Sequence, residues 1–238
     1  MSFTDELTEK NVVLKKETLK LYEKIRKLSK DKISLIFKIK GKLLEETINN
    51  YKSDFSDKPV KEAIRNYTGV VFEQLSLNIY NSSQLKYMND HLRILSAMYG
   101  VLSPNDLIYP YRLDMTIKLP KISLYKYWQK IVDDYFMNEE VIINLASNEF
   151  SKMLKNYSGR MINIEFYEES DELELKVVSY NAKKCRGKML DFLIKNQIED
   201  LDLIKEFSYE NYIYSENLSK PDNFYYLKFS NTFIHNSR

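Results

Sequence analysis

The sequence predicts a mixed α/β fold, in which helices flank a mixed central sheet within a single domain over residues 1–238. Segments with helical spacing of apolar residues alternate irregularly with short strand-like segments, which argues against a regular doubly wound sheet. Hydrophobic residues make up 44% of the chain, which is ample for one sizeable core. Only five Gly and five Pro are present, so long flexible linkers are not expected.

The N-terminal part of the chain is predicted to be helical. Leu14, Leu21, Ile25 and Leu28 recur at roughly helical spacing, and Ser29 is a cap signal for the helix that follows them. Pro59, close after Asp57, is typical of the first turn of a helix. The predicted helices cover residues 14–28, 32–40, 42–51, 58–67 and 84–91.

The remainder of the chain mixes strands with helices. An apolar run at 92–97 and a second at 141–146 predict buried strands, separated by a turn-rich stretch at 99–110. Alternating residues on both sides of a polar turn at 168–171 predict a hairpin of residues 161–167 and 172–179. Further helices are predicted at 124–137, 149–157, 182–197 and 201–207, and further strands at 211–214 and 224–229.

Several protein classes are excluded by composition and motif content. The single cysteine, Cys185, cannot form an internal disulfide and fits a reducing compartment. With only His91 and His235 beside it, a His/Cys zinc cluster cannot form. No run of about 18 apolar residues and no signal peptide is present, so a cytoplasmic protein without membrane contact is expected. No phosphate-binding or dinucleotide-binding glycine motif occurs, and we expect neither a metal nor a cofactor.

Positive charge is concentrated although the net charge is only +2. Residues 10–42 hold twelve Lys or Arg against three acids, and residues 139–180 hold nine acids against four bases. Residues 181–188 then hold four bases and no acid. A local basic patch can bind a polyanion whatever the net charge, because the electrostatic potential near the patch determines whether an anion is attracted.

The segment 181–188 is the first candidate site, because its bases fall in the first turns of the predicted helix at 182–197. Bases are unfavourable beside the positive end of a helix dipole, and a bound anion would resolve the conflict. Gly187 would let a phosphate backbone approach. The alternative is that the bases are solvated or pair with hairpin acids such as Glu165, Glu172 and Glu174. The candidate anion-binding residues are Lys183, Lys184, Arg186, Gly187 and Lys188.

Two further segments carry candidate residues. The turn-rich stretch places Arg93, Tyr99, Gly100, Arg112 and Lys118 on a loop where bases and aromatic rings could contact phosphates and stack on bases. The alternative is an ordered loop with buried tyrosines.

The end of the strand at 141–146 offers a different kind of site, since ligands often bind at that edge of α/β sheets. Asn144, Ser147 and Glu149 could line a nucleotide pocket there, although Ser147 alone is typical of a helix N-cap. A serine hydrolase is disfavoured, because neither histidine lies in a suitable motif and no catalytic residue can be assigned.

Seven segments closely resemble the bacterial YaaA family. They are LRILSAMYGVLSPNDL (92–107), PYRLDM (110–115), LYKYW (124–128), VIINLASNE (141–149), SYNAKKCRG (179–187), IKNQI (194–198) and YYLKF (225–229). The family usually opens with a short strand and a Ser-Pro-Ala-Lys-like segment, and this chain begins just after that point.

The resemblance implies a peroxide-stress protein that limits free intracellular iron and so protects DNA. It also implies a positively charged cleft and a helix-hairpin-helix-like element that binds DNA. We carry the hairpin onto residues 96–106, and the cleft onto Arg112, Lys183, Lys184 and Arg186.

The leading hypothesis is therefore a non-enzymatic, monomeric protein that binds duplex or branched DNA largely independently of sequence. The alternative is an enzyme acting on a nucleotide or nucleic-acid base in a phosphate-binding cleft. Direct iron sequestration is disfavoured, because one Cys, two His and no clustered carboxylates offer few ligands.

Overall fold

The computed structural model describes residues 15–53, 59–170, 172 and 174–229. The chain divides into two compact units. The first holds residues 1–67, 92–138 and 146–157, and the second holds residues 68–91, 139–145 and 158–238. The single-domain organisation expected from the sequence stays a prediction.

The helices, in chain order, are α1 (Lys16–Arg26), α2 (Lys30–Phe37), α3 (Gly41–Lys52), α4 (Ala63–Asn66), α5 (Val70–Glu73), α6 (Ser82–His91), α7 (Leu124–Phe136), α8 (Asn148–Ser151), α9 (Ser179–Asn196) and α10 (Leu201–Ile204). The strands are β1 (Lys61–Glu62), β2 (Ile94–Ser96), β3 (Gly100–Leu102), β4 (Leu107–Ile108), β5 (Val141–Asn144), β6 (Arg160–Glu169), β7 (Leu175–Lys176), β8 (Tyr212–Tyr214) and β9 (Asn223–Lys228). A short 3-10 helix, Lys152–Leu154, follows α8.

The first unit is a helical body with two short antiparallel strand pairs. Helix α1 buries Leu21 and Ile25, and the Ser29 side chain caps α2 by accepting a hydrogen bond from the Lys32 N–H (3.3 Å). Strand β1 pairs with β4, and β2 pairs with β3 so that Ser96 lies opposite Gly100. Helix α7 places Trp128 in the core, where its indole N–H donates to the Ala97 carbonyl (2.8 Å).

The second unit is built on a five-stranded mixed sheet in the order β5-β6-β9-β8. Strands β5, β6 and β9 are parallel to one another, while β8 is antiparallel to β9. Strand β7 pairs with β6 at Glu168 and Glu169, beyond the residues of β6 that pair with β5. The prediction of a mixed α/β fold with a mixed sheet is confirmed.

Helix α9 covers this sheet with an apolar face. Ala182, Cys185, Met189 and Leu193 are buried at helical spacing and pack in one cluster with Ile162, Ile164 and Phe166 of β6 and with Phe224 and Tyr226 of β9. Burying apolar surface in this way is the main stabilising contribution to such a unit. Charged residues occupy the other positions around α9, and one of them, Asp191, is also buried.

Some predicted elements differ from those in the structure. Residues 58–67 were predicted to form one helix, but the described part contains only β1 and the four-residue α4. The backbone N–H groups of Ala63 and Ile64 instead donate to the carbonyls of Asp106 and Pro104, a tertiary pairing that sequence periodicity cannot reveal. The predicted helix over 149–157 is also shorter, ending in the 3-10 turn. The first fourteen residues lie outside the described residues.

Candidate anion-binding site

Helix α9 begins at Ser179, three residues earlier than predicted. Lys183 and Lys184 are therefore its fifth and sixth residues, and Arg186 and Lys188 lie further along. The favourable or unfavourable influence of the helix dipole falls off within the first turn. The argument that a bound anion must offset bases in the first turn is thus wrong for this helix, and the bases must be judged by their own contacts.

Lys184 is held by the turn between α10 and β8. Its ammonium lies 2.8 Å from Glu210 Oε1 and 5.3 Å from the centre of the Tyr209 ring. The hydrogen bond to Glu210, followed by that to Tyr209, raises the pKa of Lys184 above its ordinary value. The hydrogen bonds that Glu210 accepts from Lys184 and from Tyr209 lower the pKa of Glu210. Lys184 is thus a permanently charged base whose side chain is 29% exposed and already has an internal anionic partner.

Arg186 projects toward strand β6. Its Nη2 atom lies 3.7 Å from Glu165 Oε2, and the side chain is only 13% exposed. Within the described ranges its Nε atom is buried without a hydrogen-bond partner. A buried donor with no acceptor is costly, and its enclosure keeps an external phosphate from reaching this atom. The pairing with Glu165 matches the alternative in which bases pair with hairpin acids.

Lys183 and Lys188 complete the set of bases. Lys183 is exposed, and Lys188 is partly exposed with its ammonium 5.8 Å from the centre of the Tyr209 ring. An ammonium over an aromatic face gains a modest attraction and keeps its charge. Lys183 is therefore the most accessible of the four bases, while Tyr209 orients two of them.

Beside these bases, Glu168 is the anchor of a polar network at the end of β6. Its Oε1 atom accepts hydrogen bonds from Asn181 (2.7 Å) and Tyr212 (2.5 Å). Burial raises the pKa of Glu168, but those hydrogen bonds and the charge of Lys228 outweigh burial and hold it below its ordinary value. This network fixes the first turn of α9 to the sheet, so the basic face is presented from a rigid support.

Gly187 lies against a neighbouring helix, α5, and not against open space. A Cβ atom built on it would lie 2.3 Å from the Val71 carbonyl oxygen and 2.8 Å from the side chain of Gln74. The glycine lets α9 pack closely against α5. The prediction that Gly187 admits a phosphate backbone is wrong, because the space beside it is filled by a neighbouring helix.

Cys185 lies under the bases, on the core face of α9. Burial, with smaller contributions from Glu210 and Glu168, raises the pKa of the Cys185 thiol to about 12. A raised pKa leaves less thiolate at neutral pH, and the thiolate is the reactive form. We therefore expect Cys185 of the folded protein to resist hydrogen peroxide and thiol-modifying reagents.

That expectation is checked by following alkylation of Cys185 by mass spectrometry in native buffer and in denaturant. Labelling should be slow in native buffer and rapid after unfolding. Equal rates in the two conditions would mean that the thiol is accessible and ionised in the folded state.

The residues predicted on the turn-rich stretch lie in the first unit and divide into two groups. Tyr99 is fully buried, and its hydroxyl accepts from the Tyr109 N–H and donates to the Tyr109 carbonyl (both 3.1 Å). Gly100 has φ of 77° and is covered by the Trp128 ring. Their predicted role in stacking on bases or contacting phosphate is wrong in this structure, because both residues belong to the core.

The surrounding segment gives no support to the helix-hairpin-helix-like element expected over residues 96–106. Strands β2 and β3 form an antiparallel hairpin whose turn residues, Ala97 and Met98, are fully buried. The Asp106 carboxylate accepts from the Ser103 N–H (2.8 Å), which closes the next turn. A backbone turn that is buried in this way cannot present its N–H groups to a phosphate.

The bases of this stretch lie nearer the surface. Arg112 and Lys118 are exposed, and the Arg112 carbonyl accepts a hydrogen bond from Tyr51 (2.7 Å). Arg93 is partly buried and donates to the Leu92 carbonyl (2.8 Å). Arg112 and Lys118 thus retain accessible charge, whereas Arg93 is engaged by its own backbone.

The residues predicted to line a nucleotide pocket form hydrogen bonds within their own units. In the second unit the Asn144 amide donates to Asn163 Oδ1 (2.8 Å). In the first unit Glu149 Oε1 accepts from the Met115 N–H (2.8 Å). Ser147 stands at the N-cap position of α8, where its carbonyl accepts from Phe150 and Ser151, but its side chain makes no capping hydrogen bond.

No group of three or more His, Cys, Asp or Glu side chains in the described part of the chain is arranged to hold a metal ion. No helix among those residues is long and apolar enough to cross a membrane.

Sequence reasoning missed Tyr209, Glu210, Tyr212 and Glu168 as members of this site. Glu168 was placed in a hairpin turn, whereas it lies within strand β6, next to its last residue, and accepts two hydrogen bonds. Tyr209 and Glu210 lie more than twenty residues after the bases that they contact, and Tyr212 joins the site through Glu168. A usable signal was the Glu-Asn pair between two tyrosines, because Asn is favoured in hairpin turns.

Fold and site together define a mixed α/β protein with a basic helix face supported by a sheet. A family model described as "Peroxide stress protein YaaA" matches residues 1–218. The chain belongs to this family. Among its relatives, a UPF0246 protein of Fusobacterium nucleatum is 39% identical over 218 residues, which is 90% of this chain and 87% of that protein.

Two other relatives show the same pattern. A UPF0246 protein of Legionella pneumophila is 32% identical over 233 residues, covering 92% of this chain and 90% of that protein. A UPF0246 protein of Agathobacter rectalis is 34% identical over 215 residues, covering 87% of this chain and 86% of that protein. The similarity therefore extends over nearly the whole length of each relative.

Proposed function

We propose that this protein binds DNA largely independently of sequence as part of the hydrogen peroxide response, and that it helps to limit free intracellular iron. The observation that carries the DNA-binding part is the group of bases in the N-terminal half of α9, with Lys183 exposed and Lys184 and Lys188 beside Tyr209. Lysine and arginine contacts to phosphates provide affinity without reading sequence. The family description supports the connection with peroxide stress.

Arg186 supports the same proposal. Its buried Nε atom lacks an acceptor among the described residues, and its only ion pair there is a 3.7 Å contact with Glu165. Because that atom is enclosed and the side chain is only 13% exposed, Arg186 supports binding through its positive charge and not through a contact of Nε with a phosphate. Arg112 and Lys118 remain candidates for further phosphate contacts, because both side chains are exposed.

The nucleotide-enzyme alternative receives less support. The Asn144 and Glu149 side chains hydrogen-bond within their own units, to Asn163 and to the Met115 backbone. An acid–base mechanism requires a side chain that is free to exchange a proton with the substrate. These hydrogen bonds of Asn144 and Glu149 do not place such a group beside a nucleophile. The link to iron is proposed to be indirect, since few metal-ligating side chains are clustered in the described chain.

The proposed function is tested by reversing two charges, with Lys183→Glu and Lys184→Glu in one variant. The affinity for labelled duplexes should fall for all sequences alike. The slope of the logarithm of the binding constant against the logarithm of salt concentration should decrease by the equivalent of about two phosphate contacts. The measurement is fluorescence anisotropy at several salt concentrations.

The matched control is Lys152→Glu with Lys155→Glu, which makes the same charge change at two exposed positions of the first unit. The control should bind as the wild type does, and circular dichroism should show both variants folded. Undiminished duplex binding by the α9 variant would remove the basis for assigning DNA contacts to this helix.

A further inference from the structure

The turn formed by Tyr209, Glu210, Asn211 and Tyr212 has an unusual residue at its tip. The backbone of Tyr209 and Tyr212 is paired in both directions (N···O distances 3.2 and 2.8 Å), and the two central residues have φ of 46° and 68°. Positive φ at both centres is the geometry of a type I′ hairpin turn. Asn211 suits such a position, whereas Glu210 does not.

Backbone conformations of this kind favour Gly, Asn and Asp, since other side chains are disfavoured at positive φ. The backbone conformation therefore does not favour a glutamate at position 210, and the reason for this residue is sought in the contacts of its side chain. Strained positions that persist in a folded chain are a recognised pointer to function.

The Glu210 carboxylate lies directly among the bases of α9. Its Oε1 atom accepts from Lys184 Nζ (2.8 Å) and from the Tyr209 hydroxyl (2.7 Å). The Tyr209 ring in turn faces the ammonium groups of both Lys184 and Lys188. One short turn thus engages two of the four bases that the proposed function assigns to DNA.

We infer that Glu210 is an internal competitor for the polyanion, a carboxylate that occupies Lys184 until a phosphate of the ligand displaces it. The inference rests on the proposed DNA binding by α9. A carboxylate and a phosphate oxygen make the same charge-assisted hydrogen bond to an ammonium, so binding at Lys184 exchanges one partner for another.

This exchange has a consequence for the class of ligand. A ligand with a single phosphate gains little by replacing Glu210, because one ion pair is lost for each one formed. A polyanion can contact Lys183 and Lys188 at the same time and so offset the loss at Lys184. The turn therefore favours extended polyanions such as duplex DNA over mononucleotides.

The inference is tested with Glu210→Gln, which removes the charge but keeps an acceptor for Tyr209. Glu216→Gln is the control, since Glu216 is an exposed glutamate beyond the other end of β8. Duplex binding is measured by anisotropy for the wild type and both variants at several salt concentrations. Glu210→Gln should bind about two- to fivefold more tightly than Glu216→Gln, as expected for an exposed ion pair. Its salt dependence should keep the slope of the wild type, because Lys184 contacts a phosphate in both complexes and only the competing carboxylate is removed.

A second variant guards against misfolding, because Asn fits the backbone of the turn better than Glu does. Glu210→Asn should melt no lower than the wild type and should also bind duplex more tightly. If the wild type binds duplex but both Glu210 variants match Glu216→Gln, the competitor role is overturned and the proposed function stands. If none of the four proteins binds duplex, the proposed function fails and the competitor role fails with it.

Discussion

Replacing Gly187 by alanine is expected to lower the free energy of unfolding by about 1–3 kcal/mol, the usual cost of forcing extra atoms into a packed interior. The new methyl group would lie 2.3 Å from the Val71 carbonyl oxygen. That oxygen belongs to the backbone of α5 and cannot rotate away, so α9 and α5 must separate. Urea denaturation followed by circular dichroism measures the loss.

Gly69→Ala is the matched control for this substitution. A Cβ atom at Gly69 meets nothing within 4 Å, and its φ of −77° is one that alanine adopts readily. We expect its unfolding free energy to stay within about 1 kcal/mol of the wild type, with any change toward greater stability. Equal stability of the two variants would contradict the close packing of α9 on α5.

The second large effect is expected at Asp191, a buried carboxylate of α9 that is 5% exposed. It accepts from the Ser76 N–H (2.8 Å), the Tyr80 hydroxyl (2.5 Å) and Lys195 (2.8 Å). Asp191→Ala removes the acceptor of the buried Tyr80 hydroxyl and leaves the Ser76 N–H only its longer contact with that hydroxyl (3.3 Å). We expect a loss of about 2–4 kcal/mol in unfolding free energy.

Lys195→Met provides the comparison, because it removes only the outermost of the three donors. The Lys195 side chain is 39% exposed, so its ion pair is weakened by solvent, and a loss of about 1 kcal/mol or less is expected. The account of Asp191 is wrong if Asp191→Ala destabilises the protein no more than Lys195→Met does.

The Asp191 contacts also predict a pH dependence. Burial raises the pKa of Asp191, but the hydrogen bonds from Lys195, Tyr80 and Ser76 outweigh burial and hold it below its ordinary value of 3.8. A carboxyl with a lowered folded-state pKa contributes stability that is complete above the unfolded-state value and is lost as the pH falls through the folded-state value. The stability difference between wild type and Asp191→Asn should therefore shrink below about pH 4.

Local patterns in the sequence predicted much of the fold. The apolar spacing of Leu21 and Ile25 marks α1, and the alternation of Ile162, Ile164 and Phe166 marks β6 as half-buried. Both patterns arise because one face of the element packs on a core, so they are visible in the sequence itself. The short α5 was missed, since four residues are too few to show a helical period.

The candidate site was only partly predictable. The bases at Lys183, Lys184 and Arg186 lie close together in the sequence and are visible there, but the packing of Gly187 against α5 is not. Its neighbour Val71 lies more than a hundred residues earlier, and no local pattern reports such a contact. Glu210 was missed for the same reason, because only the folded chain brings it to Lys184. Tertiary proximity, rather than propensity, decides these roles.

The central claim is that the bases of α9 contact DNA, and lysine footprinting of the unmodified chain tests it most directly. The protein is treated briefly with an amine-acylating reagent, with and without saturating duplex, and each lysine is quantified by mass spectrometry. Lys183 and Lys188 should become protected by duplex, while Lys152 and Lys155 should react equally in both conditions. Unchanged reactivity of Lys183 and Lys188 under saturating duplex would contradict the claim.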